Sequence, residues 1–297
     1  MKKIVTLLIL SALFIPAFDI QANASLVSDR KYRLEQKKEN REAVKQIKSL
    51  INSHNIYANQ HDIEKLGTLY SDKYINNDGF NKEIYFKSIK DTWESCKDLT
   101  YTTKIISLNI NGDYAHVNVE ETANGTIYDT IENMPVAGEI HSKSTGIYHL
   151  EQVNGRWFIT GETSLTDESS LLYGDARFMN IEIQTPNQVN AGETYTSLVK
   201  VDTDDNTFII GAIDRDPVTY PVKTPKSELR AMSQSQTLER LLKANTDNIN
   251  EYAVASLAIS KAQGVGTDSF KIYMAGLACV MKRINVIPKN NFAKLEE

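Results

Sequence analysis

Hydrophobic positions in the first part of the chain recur at helical spacing. Steps of three and four residues connect Val44, Ile47, Ile51, His54 and Ala58. This spacing places these side chains on one stripe of a helix that ends near residue 59. The same argument predicts a short second helix after Asp62, which is a suitable N-cap, and a third helix over about residues 82–96.

From residue 99 onward, apolar and polar positions alternate, as in strands that bury one face. Two Asn-Gly pairs, Asn111-Gly112 and Asn154-Gly155, each lie between two such alternating runs. An Asn-Gly pair in this context is a strong signal for a tight hairpin turn. Helices followed by a curved antiparallel sheet make an α+β arrangement, with the helices on one face of the sheet.

The second part of the chain is predicted to contain short strands. Residues 164–177 are polar and lack a sustained period, so we expect a linker there. Short apolar runs follow at residues 180–184, 194–201, 207–213 and 281–287. Residues 251–259 fit a strand or a helix, and Tyr252 after a polar turn is similar to the tyrosine corner of immunoglobulin-like sandwiches. We predict a β-sandwich, and a helical C-terminal domain is the alternative.

Three segments of the first part resemble a known superfamily. Residues 62–66 (Asp-Ile-Glu-Lys-Leu), 69–74 (Leu-Tyr-Ser-Asp-Lys-Tyr) and 154–159 (Asn-Gly-Arg-Trp-Phe-Ile) are similar to segments of SnoaL-like and nuclear transport factor two-like proteins. The resemblance covers about residues 40–165 and implies a cone-shaped domain that encloses one cavity. The expected fold class is therefore α+β: an N-terminal cone of three helices on a curved antiparallel sheet (residues 40–165), followed by a C-terminal all-β immunoglobulin-like sandwich (residues 178–290).

The N-terminal residues have the pattern of an export signal. Lys2 and Lys3 precede an apolar stretch at residues 4–18, and Ala22-Asn23-Ala24 fits the small-residue pattern at a signal peptidase site. The apolar stretch is shorter than the roughly 20 residues that a membrane-spanning helix needs. We therefore expect residues 1–24 to be a cleaved signal peptide, with no membrane span afterwards and a secreted or periplasmic location.

Composition narrows the classes of partner. The chain has 33 basic and 38 acidic residues, mixed along its length, for a net charge of −5. This balance argues against nucleic-acid binding, which requires a basic surface.

Cys96 and Cys279 are the two cysteines. The two cysteines could form one disulfide or remain separate thiols, and we favour separate thiols. No spacing of cysteine and histidine predicts a structural metal site, and no cofactor is expected.

The interior of the expected cone is the first candidate for a ligand site, because concave pockets with a few polar groups bind most small ligands. Asp78 follows the second helix and could act there as a general base. The alternative, which we favour, is that residues 77–79 (Asn-Asp-Gly) simply form a turn. Tyr57 and Trp93 are further candidates for lining the cavity, although their helical spacing also fits the core.

The strands contribute polar candidates of a different kind. Thr163, near the end of the closing strand, could donate a hydrogen bond to a ligand, whereas Glu162 is expected to be exposed because it alternates away from Trp157. His116 is expected on the outward face of its strand. For His116 and His149, a surface or structural role is the favoured interpretation, because a histidine without an identified partner is weak evidence for catalysis.

These observations favour an exported, non-catalytic protein. The cone would hold a small apolar ligand or an oligomer interface, such as that of a homodimer, and the C-terminal domain would contact a protein or a cell surface. The alternative is an enzyme of the isomerase or lyase type that uses the cone cavity, with Asp78 as its base. The alternative is less favoured because no paired acid and base can be named from the sequence.

Overall fold

A computed structural model describes residues 22–131, 134–203, 206–222, 229–233, 236–264 and 270–288. Residues 1–21 of the expected signal peptide lie outside the described residues. The chain divides into two compact units, residues 1–45 and residues 46–297. In the first unit, the described residues from position 22 onward are helical.

The described helices confirm the three that hydrophobic spacing predicts. They are α1 (Ala22–Asn59), α2 (Ile63–Gly67) and α3 (Lys82–Ser95). Asp62 caps α2 by accepting a hydrogen bond from the backbone N–H of Lys65 at 2.9 Å, and Asn81 caps α3 in the same way. Among the helices that the structure describes, none is both long and apolar enough to span a membrane.

The rest of the described chain is mostly β-structure. The strands are β1 (Tyr70–Asn76), β2 (Thr100–Asn111), β3 (Tyr114–Ile131), β4 (Met134–Val153), β5 (Arg156–Gly174), β6 (Ile181–Gln184), β7 (Gln188–Asn190), β8 (Thr194–Val201), β9 (Thr207–Pro217), β10 (Arg230–Ala231), β11 (Thr237–Lys243), β12 (Glu251–Gly264) and β13 (Phe270–Ile287). Both predicted hairpins are confirmed. The first turn consists of Gly112-Asp113, one residue after the predicted Asn111-Gly112, and the second consists of Asn154-Gly155. Gly112, Asn154 and Gly155 have a positive φ.

A single large sheet runs through both parts of the chain, in the order β10-β9-β12-β13-β5-β4-β3-β2. The expected α+β cone followed by a separate immunoglobulin-like sandwich is therefore wrong. The protein is mostly β. One sheet joins the two parts of the chain because β5 pairs with β4 on one side and with β13 on the other. The domain limits 40–165 and 178–290 stay a prediction.

The expected linker at residues 164–177 is largely the second half of β5, which continues to Gly174 before a 3₁₀ helix at Asp175–Phe178. The polar composition of this segment is typical of a loop. It forms a strand because β13 supplies the backbone partners, with Ser170 opposite Val280 and Glu168 opposite Lys282. Polar side chains are compatible with a strand once both edges are paired.

A smaller sheet, β11-β8-β6, packs with strands of the large sheet around one hydrophobic core. This core includes Val199 of β8, Ile213 of β9 and Leu257 of β12. Residues 251–259 belong to a strand, so the helical alternative is wrong. The tyrosine-corner interpretation is also wrong, because the hydroxyl of Tyr252 donates to Asp167 at 2.6 Å and not to the preceding turn.

The two cysteines do not pair. Cys96 is buried, Cys279 is partly buried, and both are free thiols. Burial raises the pKa of both thiols above their usual value. Packing and hydrogen bonding, without a disulfide, therefore hold the described structure together.

Candidate functional site

A β-bulge in β5 determines which side chains reach the inner face of the sheet. Ile159 lies opposite Leu150 and Gly161 lies opposite His149, so Thr160 is an extra residue on β5. An extra residue inverts the alternation of side chains beyond it. Glu162 is consequently opposite Tyr148 and faces inward.

The expectation that Glu162 is exposed is therefore wrong, and the bulge is the physical reason. Its carboxylate oxygen Oε2 accepts hydrogen bonds from the hydroxyls of Tyr74 at 3.2 Å and Tyr85 at 3.1 Å. Burial, followed by the nearby charge of Glu121, raises the pKa of Glu162 from 4.5 to about 7. The hydrogen bonds from the tyrosines act in the opposite direction but do not cancel the effect of burial.

A second carboxylate, Glu121, lies on the inner face of β3. It continues the face of Val117 and Val119, which are buried. Its Oε1 accepts hydrogen bonds from the hydroxyl of Tyr148 at 2.8 Å and from Thr103 at 2.9 Å. As whole residues, Glu121 and Glu162 are each partly buried. The inner face therefore carries two carboxylates, each bonded to tyrosine.

A buried histidine of α1 belongs to the same group of side chains. The Nε2 atom of His54 lies 2.8 Å from the hydroxyl of Tyr70, and the Tyr70 ring contacts that of Tyr74 with 5.1 Å between centroids. The Nδ1 atom of His54 is buried without a hydrogen-bond partner among the described residues. Burial lowers the pKa of His54, so the neutral imidazole is favoured.

We call this group the acid–tyrosine cluster. It consists of His54, Tyr70, Tyr74, Tyr85, Glu121, Tyr148 and Glu162. Burial raises the pKa of Tyr70, Tyr85 and Tyr148 well above the usual value. These hydroxyls therefore stay protonated and remain hydrogen-bond donors across the physiological range. A histidine, two carboxylates and several fixed donors can together accept, hold and return a proton.

Asp78 is not a member of this cluster, although its charge adds to the rise in the pKa of Glu162 that burial causes. Asp78 lies in the turn after β1, and its carboxylate is bonded by both terminal nitrogens of Arg283 in β13, one of them at 3.0 Å. Asn250 donates a further hydrogen bond at 2.8 Å. The side chains of Asp78 and Arg283 are 6% and 2% exposed. Asp78 is thus engaged in a buried ion pair.

The other sequence candidates are also dispersed. The indole nitrogen of Trp93 donates to the hydroxyl of Tyr101 at 2.9 Å, and its ring stacks on His61. The ring of Tyr57 lies 6.0 Å from the ammonium of Lys65. Thr163, next to Glu162, points to the outer face of the sheet and contacts His149 there. The structure does not bring Asp78, Trp93, Tyr57 and Thr163 together.

Sequence reasoning missed the members of the cluster that carry its chemistry. A signal for Glu121 was present, because it follows Ala115, Val117 and Val119 at a period of two. No comparable signal existed for Glu162, because the bulge depends on the pairing of β5 with β4. The outward position predicted for His116 is confirmed, since this side chain is exposed. The described residues include no group of three or more His, Cys, Asp or Glu that could hold a metal ion.

Comparisons with known proteins give partial likenesses. No protein-family model matches the sequence, and no curated protein matches it. A type 2 hexachlorocyclohexane dehydrochlorinase (LinA) of known structure is 11% identical, with a TM-score of 0.37 over 43% of this chain and 87% of that chain. A protein of Novosphingobium aromaticivorans, provisionally assigned as a scytalone dehydratase, is 13% identical, with a TM-score of 0.37 over 43% and 86%.

A provisionally assigned dehydratase of the nuclear transport factor two-like family from Streptomyces avermitilis is 10% identical to this chain. Its TM-score is 0.30 over 41% of this chain and 94% of that chain. Of these three solved structures, one is named as nuclear transport factor two-like. The likeness covers less than half of this chain.

Proposed function

We propose that this protein is exported and catalyses proton transfer on a small organic molecule, as isomerases and lyases do, with Glu162 as the general base. The observation that carries the proposal is the position of Glu162 on the inner face, bonded to Tyr74 and Tyr85, with a pKa of about 7. A general base works best when its pKa is close to the working pH. Export rests on the signal pattern of residues 1–24.

From the sequence, a non-catalytic protein was the favoured interpretation, because no acid and base could be paired. Glu162 now supplies the base, and the neutral His54 and the protonated tyrosines of the cluster supply groups that can donate a proton or a hydrogen bond. Groups whose pKa values are pushed apart by their surroundings are typical of acid–base sites.

The charge of the cluster indicates the class of substrate. Glu121 and Glu162 are both acidic, and burial weakens the screening between them and a bound molecule. An anionic substrate would be repelled, so we expect a neutral or cationic molecule. The reaction we propose is removal of a proton from a carbon next to a carbonyl group, followed by its return or by loss of a leaving group.

The experiment is deuterium exchange at carbon. The purified protein is incubated in D₂O with a panel of small neutral ketones and β-hydroxy carbonyl compounds, and exchange is followed by NMR. We expect exchange with the wild-type protein and loss of exchange with Glu162→Gln. In the active protein, kcat/KM should rise with pH and level off above about 7, where Glu162 is ionised.

The matched control is Glu168→Gln. Glu168 lies on the same strand, pairs with Lys282 and is 57% exposed. This variant should exchange at the wild-type rate. If a substrate from the panel exchanges equally fast with Glu162→Gln and the wild-type protein, Glu162 is not the base.

Binding without catalysis is the second candidate function. The observation that favours it is ring packing, because Tyr70 contacts Tyr85 and Phe86 at 5.9 Å and 5.0 Å between centroids, which limits the space for a reacting molecule. The carboxylates favour a polar ligand over the apolar one expected from the sequence.

Native mass spectrometry of the purified protein tests binding without catalysis, and a ligand retained in Glu162→Gln without any turnover would support it. The same spectra test the proposed homodimer. A protein or cell-surface partner for residues 178–290 also remains a proposal.

A further inference from the structure

Two histidines face each other on the outer side of the sheet, opposite to the acid–tyrosine cluster. His116 of β3 and His149 of β4 are directly paired across the strands. Their Nδ1 atoms are 2.8 Å apart, and the two rings are nearly perpendicular, at 83°. His116 is exposed and His149 is partly buried. Two nitrogen ligands thus meet at a surface that solvent can reach.

A third side chain orients one member of the pair. The Nε2 atom of His149 lies 2.9 Å from the hydroxyl of Thr163, which is on the neighbouring strand β5. When Nε2 carries the hydrogen and donates it to Thr163, Nδ1 of His149 keeps its lone pair. Metal-binding histidines are oriented in this way, by an outer partner that bonds the nitrogen not used for the metal.

We propose that His116 and His149 form a surface site for a divalent transition-metal ion, with Cu²⁺ as the preferred ion and Thr163 as the orienting partner. Two nitrogens bound at right angles to one ion, at about 2.0 Å each, lie about 2.8 Å apart. A tetrahedral ion with the same bond lengths would need them about 3.3 Å apart. The observed separation, which the hydrogen bond between the two rings sets, is compatible with tetragonal coordination, and Cu²⁺ favours that geometry.

The stability order of divalent ions also favours Cu²⁺. For a given set of nitrogen ligands, Cu²⁺ binds more tightly than the other first-row divalent ions. The pair supplies two ligands, and water completes the coordination. Without an ion, one proton lies between the two Nδ1 atoms, as their hydrogen-bond distance requires. When Cu²⁺ binds, that proton moves from Nδ1 to Nε2 of His116 by way of solvent, so both imidazoles stay neutral and both Nδ1 atoms donate their lone pairs to the ion.

The experiment measures Cu²⁺ binding to the purified protein by titration calorimetry with glycine as a competing ligand, together with electron paramagnetic resonance. We expect one tight site per chain, with the spectroscopic signature of two imidazole nitrogens. His116→Ala and His149→Ala should each remove that signature and the tight site. Thr163→Val should weaken binding about tenfold while leaving both nitrogens coordinated. This last effect separates an orienting role from simple loss of a ligand.

The control is His141→Ala. His141 lies on the same strand as His149 and is exposed, but its Nδ1 contacts Asn124 instead of another histidine. This variant should bind Cu²⁺ as the wild-type protein does. Wild-type affinity in both His116→Ala and His149→Ala, or an equal loss in His141→Ala, would overturn the proposal. Circular dichroism of each variant checks the fold, and unchanged binding in Glu162→Gln would show that this site is independent of the proposed catalysis.

Discussion

Arg283 and Asp78 form a buried ion pair between the last strand and the turn after the first strand, 205 positions apart in sequence. The guanidinium also donates from Nε to Asn285 at 2.9 Å, and Asn250 donates to the Asp78 carboxylate. Both charges are therefore well satisfied by hydrogen bonds. The pair links β13 to the turn at residues 77–79. In this turn, the backbone N–H of Asn77 donates to the backbone oxygen of Glu162 at 2.9 Å.

The first prediction concerns this pair. Replacing Arg283→Met leaves the Asp78 carboxylate buried without its charge partner. Breaking a buried ion pair by removing one member typically costs about 3–5 kcal/mol. We expect a decrease of that size in the free energy of unfolding, measured by urea denaturation.

Two controls accompany this measurement. Lys143→Met removes an exposed pair with Glu120 on the outer face and should cost less than about 1 kcal/mol. The double variant Asp78→Leu/Arg283→Met should recover much of the loss, because no uncompensated charge remains. A cost for Arg283→Met as small as that for Lys143→Met would contradict the buried ion pair.

The second prediction concerns pH. The pKa of Glu162 is raised from 4.5 to about 7 in the folded protein. The folded state therefore binds this proton more tightly than the unfolded state. The resulting stabilisation is complete below about pH 4.5 and is lost as the pH rises through about 7. The pKa difference corresponds to a free energy on the order of 3 kcal/mol.

This dependence is measured as the difference in unfolding free energy between the wild-type protein and Glu162→Gln at several pH values. The histidine His54, whose pKa is lowered by burial, titrates in both proteins and cancels in the difference. We expect the stability of the wild-type protein to decline relative to Glu162→Gln between about pH 4.5 and 7. If the unfolding free energies of the two proteins vary with pH in parallel, the pKa of Glu162 is not raised in the folded protein. Glu168→Gln should follow the wild-type profile.

The third prediction concerns the close approach of β1 to β5 at Gly161. These strands pair in parallel, with Ile75 opposite Gly161. A Cβ atom added at Gly161 would lie 2.9 Å from the backbone oxygen of Ile75. Gly161→Ala should push β1 away and lower the unfolding free energy by about 1–3 kcal/mol, as overpacking does.

Thermal unfolding of Gly161→Ala provides the measurement. Gly264→Ala is the matched control, because a Cβ atom there meets nothing within 4 Å and its backbone is not in the left-handed region. We expect the control to unfold near the wild-type temperature. Equal unfolding temperatures for Gly161→Ala and the wild-type protein would contradict the tight contact with Ile75.

Short-range features of the fold were predictable from the sequence. The cap at Asp62 and both Asn-Gly hairpins were predicted correctly, because each depends on the φ/ψ preference or the side-chain reach of residues only a few positions apart. The site was less predictable. The spacing of Tyr74 and Tyr85 does not indicate a common partner, and only the folded structure brings both hydroxyls to Glu162.

The sequence by itself determined the helices, the hairpins and the outward direction of His116, since period and turn chemistry are local properties of the chain. Only the tertiary structure decided that β5 extends through a polar segment to join β13, that a bulge turns Glu162 inward, and that Asp78 is bound by Arg283. The physical reason is that each of these outcomes depends on a partner distant in sequence, whose backbone or charge changes which conformation has the lowest free energy.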